Sequence, residues 1–488
     1  MRLYDLLKDV KIRCFNVDLN TKINNIASDS RCVRNGDVFV AIRGEKRDGN
    51  NYISEAIKNG AIAIISDQKK QQGSVPYIFV KNAREALAKM WNAYYKKPTE
   101  SLKIIAITGT NGKTSTAYIL YSILRTAKKN CGLISTIECL INDKVYNTNG
   151  GSEISDIPSA MTTPDPSVLY RLFYEMKKEG VEYVVMEASS HALSQYKLSG
   201  ASIYIGAFTN LSKEHLDFHK NINNYFESKK RLFKMCKYGI VNIDDEYGKL
   251  IKKEHPESYT FSVKSGANFY AEKIEFSDLD CGIFANLQGE SVEIHSSLCG
   301  LFVPYNIMLA VSCAKLLKIS NDDIIKGIYL CKNICGRLEK IKSNIYIDYA
   351  HTPKAIENVI LSVKSIYKDK RLIALFGCGG DRDKSKRSIM GSIASKYCDE
   401  IIITSDNSRT ENAIEIIKEI VAGIDNFKTH YIIPNRKEAV IFAVKKLKEN
   451  EILLLLGKGH ENYEIDNTGK HYFNEREIIE EVLKNVQN

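Results

Sequence analysis

Apolar runs alternate with amphipathic segments along most of the chain. Residues 103–109 (KIIAITG) and 371–380 (RLIALFGCGG) are near-continuous apolar runs that end in glycine, a pattern typical of strands buried on both faces of a sheet. Residues 114–129 repeat apolar side chains at helical spacing between two such runs. This alternation of buried strands with helices predicts an α/β fold with mostly parallel sheets.

Proline, glycine and polar residues divide this pattern into three predicted domains. Residues 1–98 predict a small N-terminal α/β domain that ends at a polar linker containing Pro98. Residues 99–335 predict a central, doubly wound, mostly parallel sheet, with an antiparallel edge in the alternating stretch 260–300. Residues 336–488 predict a C-terminal, Rossmann-like α/β domain. In such sheets ligands bind at the carboxyl ends of the strands.

Composition narrows the class of protein. The chain has 488 residues, 44% hydrophobic and 26% charged, which is typical of a folded protein and not of a disordered one. Its net charge of +10 is spread among acidic and apolar residues, so no nucleic-acid partner is expected. The 12 cysteines lack zinc-type pairing, and neither a signal peptide nor an apolar run of about 18 residues is evident. We therefore expect free thiols, no membrane contact and a cytoplasmic location.

A glycine-rich loop provides the first chemical signal. Residues 107–115 read ITGTNGKTS, and the loop follows a predicted strand and opens a predicted helix. Glycines let backbone N–H groups approach phosphate oxygens, and the helix N-terminus favours negative charge. Lys113 can neutralise phosphate charge and Thr114 can bind Mg²⁺ through its hydroxyl. The alternative is a plain turn between strand and helix, since the spacing is two residues shorter than the common phosphate loop.

Glu187 is an acidic residue at the end of the apolar run 181–189. An acid at the carboxyl end of a buried strand, in a domain with a phosphate loop, is a candidate Mg²⁺ ligand. The alternative is a solvated loop carboxylate without a metal.

A set of motifs in chain order carries a resemblance to a known family. With the loop TGTNGKTS, the set comprises SDSRCVRNGDVFVAIRG, TTPDP, MEASSHAL, FTNLSKEHLDFH, YFESKKRLF, GRLEKI, DYAHTP, FGCGGDRDKSKR, SDNSRTE and GKGHENYEI. Together they resemble the Mur ligase family from residue 28 to residue 465. The loop alone would also fit folylpolyglutamate synthetases. The full set implies an ATP-dependent amide ligase that adds meso-2,6-diaminopimelate to the D-Glu of UDP-N-acetylmuramoyl-L-alanyl-D-glutamate through an acyl phosphate, in peptidoglycan precursor synthesis.

The resemblance implies roles around ATP and the metal. Lys229 matches the lysine that is carbamylated by CO₂ in this family, although Lys230 beside it makes the assignment ambiguous. The implied catalytic residues are Lys113, Lys229, Glu187 and His215, and the implied metal ligands are Thr114, Glu187, His215 and Lys229. The implied ATP contacts are Gly109, Thr110, Asn111, Gly112, Lys113, Thr114, Ser115, Asn306, Arg337 and Asp348.

The resemblance also implies contacts to the nucleotide-sugar dipeptide. They are Ser28, Ser30, residues 45–47, Thr162, Thr163, Ser189, Gln195 and Lys197. The family usually has Arg where this chain has Lys197, which keeps the charge but offers only one compact donor group.

The implied contacts to the incoming amino acid lie in the last third of the chain. They are Arg382, Asp406, Asn407, Ser408, Arg409, Gly457 and Glu461. Diaminopimelate has a second carboxylate that lysine lacks, and arginine can bind it through charge-assisted hydrogen bonds. The family pattern DNPR is DNSR here, so Ser408 replaces a proline and the turn loses some rigidity.

Three other functions are weighed against this one. The first is the lysine-adding version of the same ligase, and the second is a folate-polyglutamating ligase, which leaves DNSR unexplained. The third is a P-loop nucleotide switch without catalysis, which leaves Lys229 and the arginines without roles. We expect a monomer.

Overall fold

The computed structural model describes residues 1–15, 17–44, 47–69, 75–146, 161–277 and 280–487. Two compact units make up the chain. One comprises residues 1–117 and 127–261, and the other residues 118–126 and 262–488. Both contain helices and mostly parallel sheets, so the predicted α/β class is confirmed. The three-domain boundaries at residues 98 and 335 stay a prediction.

The first part of unit one is a five-stranded sheet with the order β1-β5-β4-β3-β2, parallel except at β1. Residues alternate between its faces, as in β3, where Val38 and Val40 pack in one core and Phe39 and Ala41 in another. The elements are α1 (Leu3–Leu7), β1 (Ile12–Phe15), β2 (Ile26–Ala27), β3 (Asp37–Ala41), α2 (Ile53–Lys58), β4 (Ala61–Ser66), β5 (Tyr77–Val80) and α3 (Ala83–Tyr94).

The second part of unit one is a larger, mostly parallel sheet. Its elements are β6 (Lys103–Thr108), α4 (Lys113–Thr126), β7 (Cys131–Ile134), β8 (Cys139–Ile141), β9 (Lys144–Val145), α5 (Pro166–Lys178), β10 (Tyr183–Glu187), α6 (Ser190–Ser194), β11 (Ile203–Phe208), α7 (Leu216–His219), α8 (Ile222–Lys230), β12 (Cys236–Asn242), α9 (Glu246–Glu254) and β13 (Tyr259–Ser262). Residues 118–126 of α4 and Ser262 of β13 belong to unit two. The strand order is β13-β12-β11-β6-β10-β7-β8-β9. Strand β6 lies between β10 and β11, and the chain winds to both sides of it, so the crevice above β6 is the expected ligand position.

Unit two begins with an antiparallel meander, which confirms the predicted antiparallel stretch in residues 260–300. The meander packs against two helices. These elements are β14 (Phe269–Phe276), β15 (Cys281–Leu287), β16 (Glu290–Ser296), α10 (Val303–Leu316) and α11 (Asn321–Leu330).

The rest of unit two is a six-stranded sheet with the order β17-β18-β22-β19-β20-β21, parallel except at β17. Successive residues of β19 enter separate cores on the two faces, as predicted for strands with continuous apolar sequence. The elements are β17 (Glu339–Lys342), β18 (Ile345–Asp348), α12 (Pro353–Ile366), β19 (Arg371–Phe376), α13 (Ser385–Tyr397), β20 (Glu400–Ile403), α14 (Ala413–Val421), β21 (His430–Ile432), α15 (Arg436–Lys446), β22 (Glu451–Leu456), β23 (Tyr463–Asp466), β24 (Gly469–Tyr472) and α16 (Glu475–Gln487).

Two expectations from composition concern the thiols and membranes. The cysteines whose side chains the structure describes form no disulfide, and Cys131, Cys313 and Cys398 are buried. Among the described residues, none of the helices combines the length and apolarity needed to cross a bilayer.

Candidate functional site

The glycine-rich loop that follows β6 is in close contact with Thr209. Gly109 has φ +147°, and a Cβ built on it would lie 1.8 Å from Thr209 Oγ1. The Thr209 hydroxyl donates to the Asn111 carbonyl at 2.6 Å. A side chain at position 109 would displace this hydroxyl, so glycine is required by both backbone conformation and space.

Asn210 accepts hydrogen bonds from the next two residues of the loop. The Thr110 N–H donates to the Asn210 carbonyl at 2.8 Å, and the Asn111 N–H donates to Asn210 Oδ1 at 3.1 Å. Lys113 Nζ donates back to the carbonyls of Gly109 and Thr110, at 3.0 and 2.8 Å. The loop is therefore held in a curved form with its lysine at its centre, before helix α4 begins.

Glu187 ends β10 beside this loop and is fully buried. Its Oε1 accepts hydrogen bonds from Thr114 Oγ1 at 2.9 Å and from the Thr136 N–H at 2.8 Å. Its Oε2 is buried and has no hydrogen-bond partner among the described residues. A buried carboxylate oxygen without a donor is costly unless it binds a ligand, so the pair of Glu187 and Thr114 fits a cation.

Lys229 lies in α8 with its side chain fully buried. Its Nζ donates to the Gly109 carbonyl at 2.6 Å and lies 4.4 Å from the centre of the Tyr225 ring. Burial, together with the positive charge of Lys113, holds the pKa of Lys229 well below its usual range.

Lys230, its neighbour, has a different environment. Lys230 Nζ forms ion pairs with Glu227 at 2.5 Å and with Glu254 at 2.9 Å. Although burial opposes it, these two carboxylates raise the pKa of Lys230. Loss of the ammonium proton is thus easier at Lys229 than at Lys230.

His215 precedes α7 in the left-handed backbone region, with φ 54°. Burial lowers the pKa of His215 to about 4, opposed by the charge of Glu214 and assisted by that of Lys113. The ring is therefore neutral near pH 7, which is the form that can bind a metal. Among the described residues, no three His, Cys, Asp or Glu side chains cluster as a metal site. A cation here would need ligands from a bound phosphate as well.

A cavity of about 1630 Å³ lies between the five-stranded sheet and the α5 region of unit one. Ser28, Ser30, Gln195 and Lys197 line it, as do Arg47 and other arginines. The Ser30 hydroxyl donates to Glu55 Oε2 at 2.8 Å, so it is already engaged within the protein. The predicted positions Glu45 and Lys46 lie outside the described residues.

The other predicted dipeptide contacts lie next to Glu187 and do not line the cavity. Thr163 Oγ1 donates to the Glu187 carbonyl at 2.9 Å and accepts from the Ser189 N–H at 3.0 Å. Thr162 Oγ1 accepts from Thr136 Oγ1 at 3.1 Å. These residues therefore connect the loop before α5 to the carboxyl end of β10.

Lys197 is buried, and its Nζ forms an ion pair with Asp165 Oδ1 at 2.7 Å. The carboxylate of Asp165 is half exposed at the cavity wall. The single ammonium thus has a carboxylate partner already, where a guanidinium would offer additional donors.

Three predicted ATP contacts belong to unit two. Asn306 lies in α10, and its buried Nδ2 has no hydrogen-bond partner among the described residues. The Arg337 guanidinium lies 5.0 Å from the centre of the Tyr349 ring. Asp348 ends β18 and accepts from the N–H groups of Leu338 and Ala350, and burial raises its pKa.

The predicted amino-acid residues follow the carboxyl ends of β19, β20 and β22. Arg409 has φ 53°, and its Nη1 donates to the carbonyls of Gly380 and Asn407 at 2.7 and 3.3 Å. Arg382 is exposed on the loop after β19. The Thr410 hydroxyl donates to Asp381 Oδ1 at 2.7 Å, which ties the two arginine-bearing loops together. Ser408, at the position of the family proline, is buried.

Behind these loops lies a buried polar cluster around Asp406 and Asn407. Asn407 Nδ2 donates to Glu461 Oε2 at 2.9 Å. A Cβ on Gly457, which has φ +110°, would lie 2.8 Å from Asp406 Oδ2. Lys458 is fully buried and donates to Asn407 Oδ1 at 2.6 Å.

Sequence reasoning assigned no role to Thr136, Thr209, Asn210, Tyr225 or Lys458. Thr209 and Asn210 stand within the quoted motif FTNLSKEHLDFH, Tyr225 within YFESKKRLF and Lys458 within GKGHENYEI, so the signal was available without a role attached. Thr136 donates its backbone N–H to Glu187, and a backbone donor leaves no signal in the residue type at that position.

Comparisons with known proteins cover nearly the whole chain. A family model described as the Mur ligase family catalytic domain matches residues 22–95. The Mur ligase middle domain matches residues 107–314, and the Mur ligase glutamate ligase domain matches residues 336–459.

Individual proteins are similar over the same length. The chain is 40% identical, over 99% of each chain, to the UDP-N-acetylmuramoyl-L-alanyl-D-glutamate--2,6-diaminopimelate ligase of Caldanaerobacter subterraneus subsp. tengcongensis. It is 37% identical, over 100% of each chain, to the protein of the same name from Clostridioides difficile. A solved structure of a ligase with that name superimposes with a TM-score of 0.70 at 26% identity, covering 100% of this chain and 99% of the other.

Proposed function

The chain belongs to the Mur ligase family, and on that premise we propose that it is an ATP-dependent amide ligase adding meso-2,6-diaminopimelate to the D-Glu of UDP-N-acetylmuramoyl-L-alanyl-D-glutamate. The full-length similarity to ligases that carry this reaction in their names supports the choice of substrates. The lysine-adding version is not favoured, because these relatives are named for diaminopimelate.

The reaction makes an amide from a carboxylate, whose oxygen is a poor leaving group. The D-Glu carboxylate attacks the γ-phosphorus of ATP, and ADP leaves. The amine of diaminopimelate then attacks the acyl carbon, loses a proton, and phosphate leaves. Such phosphoryl transfer depends on positioning and on neutralising charge. Because Thr110 and Asn111 donate their N–H groups to Asn210, the N–H groups of residues 112–115 would bind phosphate oxygens. Lys113 would turn from the loop carbonyls to neutralise the phosphate charge.

One observation carries the ligase part of this proposal. At the crevice above β6, the phosphate loop lies beside the buried carboxylate of Glu187, whose Oε1 binds Thr114 and whose Oε2 has no donor among the described residues. This arrangement suits a phosphate and a cation held together. It favours a reaction at the phosphates over simple structural use of the loop.

The residues fit Mg²⁺, which usually takes one or two protein carboxylates together with phosphate oxygens and water. Thr114 and Glu187 would hold one ion, and His215 with a modified Lys229 would hold a second. Bound Mg²⁺ supplies positive charge where negative charge collects on the transferring phosphoryl group. Neutral His215 is in the form that such an ion requires.

Lys229 is proposed to be carbamylated. A neutral amine nitrogen attacks the carbon of CO₂, a proton is released, and the product is an N-carboxylate with negative charge. The lowered pKa of Lys229 supports the neutral amine that this step needs. Conversion of the buried amine into an anion would let the side chain bind Mg²⁺, which a protonated amine would repel.

Carbamylation is tested with Lys230 as the matched control. After equilibration with ¹³CO₂, the ¹³C NMR spectrum of the wild-type protein should contain one carbamate signal that Lys229→Ala abolishes and Lys230→Ala retains. Lys229→Ala should be nearly inactive and partly rescued by a short carboxylate ion such as formate. A spectrum without a carbamate, or a signal lost in Lys230→Ala only, would contradict the assignment.

The nucleotide-sugar dipeptide is proposed to occupy the cavity of about 1630 Å³. Its wall carries Ser28, Arg47, Gln195 and Lys197, which suit phosphate, hydroxyl and carboxylate groups. Thr163 and Ser189 would guide the dipeptide end towards Glu187, to which they connect.

Diaminopimelate is proposed to bind at the loops after β19, β20 and β22. Arg409 and Arg382 would bind its distal carboxylate, and Asn407 and Glu461 would bind its polar groups. A site built for a charged group disfavours an analogue that leaves the site's own charges unpaired, by factors up to about 10⁴–10⁵. Lysine would leave both arginines without the carboxylate.

The function is tested by phosphate release. The protein is mixed with the UDP-muramoyl dipeptide, ATP, Mg²⁺ and either diaminopimelate or lysine. Release with diaminopimelate is expected to exceed that with lysine at least 100-fold. Comparable rates would overturn the specificity, and no amino-acid-dependent release would favour the nucleotide switch. Monomeric state and cytoplasmic location stay predictions, checked by light scattering and by fractionation of cells.

A further inference from the structure

Lys458 is fully buried in the second unit, on the turn that follows β22. Its Nζ donates to Asn407 Oδ1 at 2.6 Å and to the Tyr463 carbonyl at 2.9 Å. Burying an ammonium is costly unless its donors are satisfied and its charge is paired. Lys458 is not among the residues proposed to bind phosphate in the first unit.

The charge is compensated by two carboxylates of the same cluster. Lys458 Nζ lies 3.4 Å from Asp406 Oδ1 and 3.8 Å from Glu461 Oε2. Burial alone would raise the pKa of Asp406, but Lys458 and Arg436 lower it to about 2. Both carboxylates therefore lie beside the Lys458 amine, and Lys458 lies behind the residues proposed to bind the amino acid.

The orientation of the Asn407 side chain follows from these contacts. Lysine only donates, so the oxygen of the amide must face Lys458 Nζ. The N–H of Ile465 also donates to this oxygen, at 3.0 Å. The amide nitrogen is thereby directed to Glu461, to which it donates at 2.9 Å. Without Lys458 only the Ile465 N–H would hold the oxygen, and the amide could rotate.

We propose that Lys458 is a positioning residue for the amino-acid pocket, which fixes the Asn407 amide and the Glu461 carboxylate in the orientation that receives diaminopimelate. The inference rests on the proposed function, because it deepens the role of that pocket. Lys458 itself contacts neither substrate in this proposal. It acts through Asn407, whose amide oxygen would otherwise be held by the Ile465 N–H alone.

A positioning residue of this kind changes one kinetic constant more than the others. Lys458→Met keeps the length and apolar volume of the chain but removes every donor. It should raise KM for diaminopimelate at least 10-fold, while KM for ATP changes less than 2-fold. Lys458→Gln keeps one N–H donor and should give an intermediate KM. Lys418→Met, an exposed lysine paired with Glu415 in the same unit, is the control and should behave as wild type.

The decisive measurement is a double-mutant cycle with Asn407→Ala. If Lys458 acts through Asn407, adding Lys458→Met to Asn407→Ala should raise KM for diaminopimelate no further than 2-fold. Independent effects would multiply instead, and that result would overturn the inference. So would a parallel rise of both KM values, or failure of both Lys458 variants to fold, since each marks a purely structural lysine.

The wild-type protein separates this inference from the proposed function. Phosphate release by wild type that is independent of diaminopimelate removes the proposed function itself, before any variant is compared. Wild-type release that depends on diaminopimelate, combined with an unchanged KM in Lys458→Met, leaves the function intact and refutes only the role of Lys458.

Discussion

Gly109 offers a direct test of how tightly the phosphate loop is constrained from behind. In Gly109→Ala the new Cβ would lie 1.8 Å from Thr209 Oγ1 and 3.0 Å from Thr209 Cβ. The hydroxyl must move and give up its 2.6 Å bond to the Asn111 carbonyl, a loss of about 1 kcal/mol. The backbone conformation at φ +147° adds about 1–3 kcal/mol of strain for a residue with a Cβ.

A matched control isolates the backbone strain from the contact. Gly469 has φ +137° and no atom within 4 Å of a built Cβ, so Gly469→Ala has the strain without the clash. Gly109→Ala should weaken ATP binding at least 10-fold, or about 1.4 kcal/mol, because the loop N–H groups lose their positions. Gly469→Ala should bind ATP within 2-fold of wild type. Isothermal titration measures both, and hydrogen exchange of the Thr110 N–H reports the local opening.

The double variant identifies the partner in the clash. Thr209→Ala removes the hydroxyl, so Gly109→Ala and Thr209→Ala each lose the same bond to Asn111. Their combined cost should be about 1 kcal/mol smaller than the sum of the single costs. If the costs add, or if Gly109→Ala binds ATP as wild type does, the close contact with Thr209 does not constrain the loop.

Three further predictions follow from other parts of the molecule. Arg409→Ala should lower kcat/KM for diaminopimelate about 100-fold or more, with little change in KM for ATP, because a charged hydrogen-bond donor is lost. The control Lys418→Ala, at an exposed lysine, should change neither constant. Equal losses for both substrates would contradict the role of Arg409. The folded pKa of Asp406, about 2, lies below its ordinary value of 3.8, so its stabilisation is present above pH 4 and is lost as pH falls towards 2. Urea unfolding at pH 4 and pH 2 should therefore show wild type losing roughly 2 kcal/mol more than Asp406→Asn, and equal losses would refute the pairing. Chelation of Mg²⁺ should abolish phosphate release. It should leave the Tm of the nucleotide-free protein within about 1 °C of its value before chelation, because phosphates complete the ligand set of the metal. A large fall in Tm would indicate a structural metal.

Local sequence determined the class of fold and the loop that is proposed to bind phosphate. A strand buried on both faces is apolar along its whole length, and a helix packed on a sheet repeats apolar residues at helical spacing. The α/β alternation therefore followed from the pattern alone. The loop 109–115 was recognisable because glycine, lysine and threonine act there through their immediate neighbours. The antiparallel stretch in residues 260–300 was predictable for the same reason, since alternation reflects a sheet with one polar face.

Other features depended on residues far apart in the chain, and only the tertiary structure decided them. Thr209 restricts Gly109 across about a hundred residues because β6 and β11 are neighbours in the sheet. In the sequence only the family's motif spacing favoured Lys229 over Lys230, whereas in the structure burial against Gly109 and pairing with Glu227 give their amines opposite pKa shifts. Burial and ion pairing are properties of the folded protein, so two adjacent lysines acquire different pKa values only once the chain has folded.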